Sequence, residues 1–223
     1  MSYLSTADLA AALGVSRRQA QRLVAAGKVD GAHRAGRAYV VEETASVNVL
    51  GRGRPWSERT AWAALGMLSG DSLVDVDAVQ RRRLRARMAQ LDAGALASKV
   101  RAHAAWQRYR TTTSALAIAR ERLVLSGASA ASSLGVATVG DDLASVCGYC
   151  TAEVARDLVT AFAMAPDRRG NLLLAVPGEH LTVDGALMPA GVVAVDLMDS
   201  ASERDRVVGR EWIDAALGAM RHD

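Results

Sequence analysis

The sequence predicts an α+β fold in three parts: an N-terminal helix-turn-helix carrying a basic hairpin or wing, a helical segment, and a small mixed α/β C-terminal unit. Three observations lead there. Two short amphipathic stretches flank a glycine break near the start of the chain. Apolar residues then recur at helical spacing through the middle. After residue 122, short apolar runs bounded by turn residues alternate with further helical periodicity.

The first helix is predicted from Thr6 to Leu13, with a cap-capable hydroxyl and then Leu9, Ala12 and Leu13 on one face. Gly14 breaks it and Val15 starts a tight turn. Ser16 caps a second helix, Arg17 to Ala26, which Gly27 ends where a left-handed residue is favoured. Ala20, Leu23 and Val24 form its inward face, leaving Arg17, Arg18, Gln21 and Arg22 outward. Arginine fits guanine or phosphate bidentately and glutamine fits adenine, so this face suits the major groove of double-stranded DNA. Val29 to Val41 then places Arg34 and Arg37 around Ala35-Gly36, a hairpin tip suited to backbone contacts. The candidate DNA-binding residues here are Ser16, Arg17, Arg18, Gln21, Arg22, Arg34 and Arg37. The competing reading is a small helical hairpin with solvated arginines.

Glu42 to Leu50 completes this first domain, and Gly51-Arg52-Gly53-Arg54-Pro55 reads as a linker. Its Arg52-Gly53-Arg54-Pro55 string resembles an AT-hook, which implies that Arg52 and Arg54 meet the negative potential of an A·T minor groove. An ordinary basic linker is the plainer reading. The expected domains are 1–55, for DNA, and 56–223, an effector domain that is helical over 56–122 and mixed α/β over 123–223.

In the helical segment Ser57 caps a helix with Ala61, Trp62, Leu65 and Leu68, ended by Gly70-Asp71. Asp77 caps another with Leu84, Met88 and Leu91, whose arginines at 81, 82, 83, 85 and 87 spread around the circumference, which favours a solvated surface over a dedicated phosphate track. A third, capped near Asp92, aligns Leu96, Val100, His103 and Ala104, and a fourth runs from about Ser114 to Glu121. Behind them come a strand at 123–125, an alanine-rich helix ending at Gly135, a strand at 143–146, a helix at 151–162, and a strand at 171–176. Helices at 189–198 and 202–220 follow, the last aligning Val207, Val208, Glu211, Trp212 and Ala215.

Net charge is +3, but residues 1–122 carry 20 Lys/Arg against 10 Asp/Glu, whereas residues 123–223 carry 7 against 14. DNA affinity is therefore expected of the front and not of the rear. The N-terminus has no charged-then-apolar leader and no apolar run is long enough for a bilayer, so a cytoplasmic protein without a membrane partner is expected. Two cysteines make no disulfide framework. Cys147-Gly148-Tyr149-Cys150 has thioredoxin-like spacing at an expected strand-to-helix junction, which leaves a thiol oxidoreductase as an alternative. Gly127-Ala128-Ser129-Ala130-Ala131 approaches a nucleophile elbow but lacks the final glycine. His33, His103, His180 and His222 form no ligand spacing. No catalytic residue, metal or cofactor is expected.

Two family resemblances bear on function. Leu4-Ser5-Thr6-Ala7-Asp8-Leu9-Ala10, Leu13-Gly14-Val15-Ser16-Arg17-Arg18, Leu23-Val24-Ala25-Ala26-Gly27-Lys28 and Arg34-Ala35-Gly36-Arg37-Ala38-Tyr39 together resemble the winged helix-turn-helix of excisionase and MerR-type proteins. In the rear, the run from Val124 to Ala131, the run from Val193 to Met198, and the helix bearing Arg204, Arg206, Gly209 and Arg210 resemble AbiE-type antitoxins of type IV toxin–antitoxin systems. That resemblance implies a transcriptional autorepressor, active as monomer or dimer on repeated half-sites in its own promoter. It also implies antagonism of a nucleotidyltransferase-like toxin, without catalysis by this chain. The other alternative is an excisionase-like or MerR-like transcription factor with a dimerising or sensing rear domain.

Overall fold

The computed structural model describes residues 3–13, 15–25, 29, 32–36, 38–42, 54–135, 144–178, 181 and 185–222. The chain is an α+β protein with two sheets, divided into compact units Met1–Arg54 and Pro55–Asp223.

The first unit contains β1 (Tyr3–Ser5), α1 (Thr6–Leu13), α2 (Arg17–Ala25), β2 (Ala32–Ala35) and β3 (Ala38–Glu42). β2 and β3 form an antiparallel hairpin, and β1 pairs antiparallel with the other edge of β3. Gly36 follows β2 at φ 64°, a left-handed conformation that glycine adopts without the penalty of a Cβ. The cap of α1 is Ser5, one residue before the expected Thr6. Its Oγ accepts from the Asp8 amide at 3.2 Å, while the Asp8 carboxylate accepts from the Ser5 amide at 3.1 Å. This reciprocal capping box leaves Thr6 free to be buried. Leu9, Ala10, Ala20, Val24, Val29 and Val41 form the core. Each large aliphatic side chain so buried contributes roughly 1.5–3 kcal/mol. The side chains of Ala12 and Leu13, together with Gly14, Gly27, Arg37 and the expected completion of the domain over 43–50, lie outside the described residues.

The second unit begins with α3 (Glu58–Ser69), α4 (Ala78–Met88) and α5 (Ala93–Val100), capped by Ser57, Asp77 and Asp92, whose side chains each accept from the amide three residues on. Then come β4 (Trp106–Arg110), α6 (Thr113–Arg122), β5 (Val124–Leu125), a 3-10 helix (Gly127–Leu134), β6 (Val146–Tyr149) and α7 (Ala152–Ala161). β7 (Ala165–Pro166), β8 (Leu172–Ala175), α8 (Ala190–Met198) and α9 (Glu203–His222) complete the unit. The sheet order is β5-β6-β8-β4-β7, with only β6 and β8 parallel among its neighbours.

Four expectations are corrected. The strand expected at 143–146 runs from Val146 to Tyr149, because those residues pair with Leu172–Ala175 of β8. The alanine-rich segment is a 3-10 helix rather than an α-helix. β4 and β7 were not foreseen. On α9 the fully buried residues are Ile213 and Leu217, one turn and two turns after the packed Gly209, while Val207 is exposed.

The helical segment and the sheet share one core that runs from Trp56 to Leu217. Polar ties lock them: Asp214 accepts from the Ala93 amide at 2.8 Å, Glu58 from the Gly178 amide at 2.7 Å, and Ser69 from the Gly191 amide at 2.8 Å. Among the described residues no helix is long and apolar enough to cross a membrane.

Candidate nucleic-acid interface

The amphipathicity of α2 decides which of its side chains reach solvent. Ala20 and Val24 are buried and Leu23 packs against the same core, so Arg17, Arg18, Gln21 and Arg22 are exposed. Ser16 orients the helix start by accepting the Gln19 amide at 3.3 Å. An open groove of ≈ 470 Å³ lies between this face and the hairpin, lined by Arg17, Arg18, Gln21 and Arg22 from α2 and Ala38 and Tyr39 from β3. Arginine and glutamine supply donors in a planar fork, and no carboxylate lines the groove among the described residues. Asp8 lies at α1, where hydrogen bonds from the Ser5 side chain and amide hold its carboxyl below the ordinary 3.8.

Arg34 is exposed on β2, opposite Tyr39 of β3. Among the expected contacts, Arg37 and Arg52 lie outside the described residues, and Arg54 is exposed at the end of the first unit. The described interface therefore consists of one helix face and the two strands of the hairpin.

The second unit contains a polar cluster that spacing along the chain does not reveal. Asp196, on the otherwise apolar α8, accepts from Ser126 Oγ at 2.5 Å and from the Tyr149 hydroxyl at 3.0 Å, and faces His103 Nε2 at 3.0 Å. His103 Nδ1 lies 2.8 Å from the Val100 carbonyl, which can only accept. With an acceptor at each ring nitrogen and three donors around Asp196, the arrangement fits an imidazolium–carboxylate pair. Burial opposes the charged ring. The hydrogen bond and charge of Asp196, helped by the Val100 carbonyl and Asp199, outweigh it and raise His103 above 6.5. Trp62 packs edge-on against both His103 and Tyr149, at 5.3 and 5.6 Å between ring centres. His103 lies beyond α5, three residues after Val100, rather than on the expected helical face.

This order, with the acid between serine and histidine, leaves the serine without a contacting base, so it is not a nucleophile–base–acid chain. Ser129 is committed elsewhere, accepting from the Cys147 amide at 3.0 Å. Cys147 lies inside β6, and Cys150 lies between that strand and Thr151, the N-cap of α7. Both are free thiols. Burial and then Asp196 push Cys147 well above its ordinary 9.0, and burial pushes Cys150 up to about 11. Among the described residues no group of His, Cys, Asp or Glu is arranged to hold a metal.

A signal for the cluster is present in the sequence. Asp196 is the one charged residue of α8, within the run Val192-Val193-Ala194-Val195-Asp196-Leu197-Met198, and a buried carboxylate requires partners. Compared with known proteins, the chain matches no protein-family model, no curated protein and no solved structure.

Proposed function

We propose that this chain is a DNA-binding antitoxin and transcriptional autorepressor whose first unit is a winged helix-turn-helix and whose second unit antagonises a nucleotidyltransferase-like toxin. The observation that carries the reading is the exposed Arg17, Arg18, Gln21 and Arg22 face of α2, which borders the hairpin across a groove without carboxylates. In mechanism, α2 enters the major groove, Gln21 and the arginines read base edges, and Arg34 and Arg37 on the wing grip backbone. Arg52 and Arg54 extend the contact into the adjacent minor groove.

The antitoxin half of the reading is supported by the way the three segments that resemble AbiE-type antitoxins meet. Ser126 of the first donates to Asp196 of the second. Gly209 of the third packs so closely on the second that a Cβ there would lie 2.3 Å from the Ala194 carbonyl oxygen. Segments that are separate in the chain thus pack together in the interior of the second unit.

The experiment has two arms. Binding of the full chain to its own promoter is measured across a salt series for wild type, Arg22→Ala and Arg37→Ala. In cells, the chain is co-expressed with any nucleotidyltransferase-like toxin encoded beside it. Loss of promoter preference in Arg22→Ala and rescue of growth by wild type are the expected results. Wild-type affinity and salt slope in both variants would remove the DNA assignment, and failure of the chain to restore growth would remove the antitoxin assignment.

A further inference from the structure

We infer that α4 is a second DNA-binding surface, one that grips phosphates without reading sequence. The inference rests on the reading of the first unit as a DNA-binding head, and assigns to the second unit a contact beyond that head. α4 carries Arg81, Arg82, Arg83, Arg85 and Arg87, all exposed, and no Asp or Glu. Buried Leu84 and Met88 fix its orientation, so that Arg83 and Arg87, one turn apart, flank one side of the buried stripe while Arg81 and Arg85 flank the other. On the first side, Arg83 and Arg87 join Arg59 of α3 around an open groove of ≈ 590 Å³ that also exposes Gln80 and Thr60.

The arginines of the unit differ in what they touch, and Arg108 and Arg221 reach backbone carbonyls. Arg110 and Arg122 are paired with Asp167 and Asp157. Arg59 and Arg81 instead reach the Asp75 and Val76 carbonyls, Arg87 stacks over the Trp56 ring at 4.9 Å, and Arg82 and Arg83 have no carboxylate partner among the described residues. The positive charge of Arg82, Arg83 and Arg87, exposed on neighbouring turns, repels itself and attracts a polyanion.

The surface chemistry favours a nucleic-acid backbone over an acidic protein. Protein interfaces are anchored by aromatic or large aliphatic side chains, whereas the exposed part of α4 offers one, Val79, among arginines, Gln80 and alanines. The first unit ends at Arg54, and Trp56, two residues later, lies beneath Arg87. Phosphate contacts by α4 would raise affinity for any duplex and leave the choice of sequence to α2.

The test uses the full chain and a labelled duplex of arbitrary sequence, with affinity read as a function of salt. Arg82→Ala, Arg83→Ala, Arg87→Ala together should lower the slope of log affinity against log salt by about 2–3 and weaken low-salt binding by about tenfold or more. The double variant Arg82→Ala, Arg83→Ala, which keeps the Trp56 stack, should lower the slope by about 2. Arginine-to-lysine changes at the same three positions should restore it. Arg17→Ala, Arg22→Ala run in parallel should instead abolish preference for the chain's own promoter, a preference the α4 variants keep. An unchanged slope in the triple variant would overturn the α4 site whatever the α2 variant does. An unchanged slope on DNA accompanied by lost binding to polyglutamate would also overturn it, in favour of an acidic protein partner. Intact promoter preference in the α2 variant would sink the head's assignment while leaving the α4 result to stand on its own slope.

Discussion

In the first unit, α2 buries little more than Ala20 and Val24 and turns Arg17, Arg18 and Arg22 outward. In the second unit, Arg110 of β4 and Arg122 of α6 are tied to Asp167 and Asp157. The cores differ in the same sense. The first rests on a few aliphatic side chains from two helices and a hairpin, the second on one apolar cluster through helices and sheet, with a charged pair at its centre. Small domains bury a smaller share of their surface and are correspondingly marginal. The exposed arginines of α2 thus sit on the slighter scaffold, where bound DNA would supply both counter-charge and stability by mass action.

The largest expected effect is in the second unit. His103→Ala leaves Asp196 buried without its cation and should cost about 3–5 kcal/mol, read as an earlier urea transition of the full chain. Replacing both partners, His103→Leu with Asp196→Leu, should recover much of that loss. If the double variant is no more stable than the single, the pair is not the unit of stabilisation. Promoter affinity should hardly change in either, which separates the two units.

Gly209→Ala comes next. Its Cβ would meet the Ala194 carbonyl oxygen at 2.3 Å, forcing α8 and α9 apart at a cost of about 3 kcal/mol, the upper end for overpacking. A crystal structure of the variant with α8 and α9 unmoved would contradict this packing.

The charge pair also fixes the direction of pH dependence. The folded state raises His103 above 6.5. The folded protein thus holds this proton more tightly than the unfolded chain, and the resulting stability is fully present below 6.5 and lost as pH rises through the raised value. Thermal unfolding of the second unit should shift downward as pH is raised from 6.5, and His103→Gln should remove that dependence. A midpoint that rises over the same interval would mean that the histidine is buried neutral.

The smallest effect belongs to α2. Ser16→Ala removes the acceptor for the Gln19 amide and should cost about 1 kcal/mol. Because the first core is slight, the loss should appear in promoter binding as well as in melting.

What could be read from the chain follows the range of the interaction. Ser16, Ser57, Asp77, Asp92 and Thr151 each cap the helix that begins just after them, because a cap is completed within three residues. β4 was hidden because Trp106-Gln107-Arg108-Tyr109-Arg110 buries only Tyr109, and the hydrogen bonds that make it a strand come from Leu172–Ala175. The His103–Tyr149–Asp196–Ser126 cluster joins four segments between 46 and 93 residues apart along its measured bonds, which no periodicity encodes. Of the candidate interface, the outward set on α2 follows from helical spacing alone. The groove it shares with Ala38 and Tyr39 depends on how the hairpin folds back.

The account's central claim is that sequence recognition resides in the α2 face of the first unit. It is tested most directly by competing the chain's own promoter against an arbitrary duplex, for wild type and Arg22→Ala, over a salt series. Wild type should prefer its promoter. Arg22→Ala should lose about 1–3 kcal/mol of that preference while still binding both duplexes with a steep salt dependence. Equal preference in wild type and variant would contradict the account.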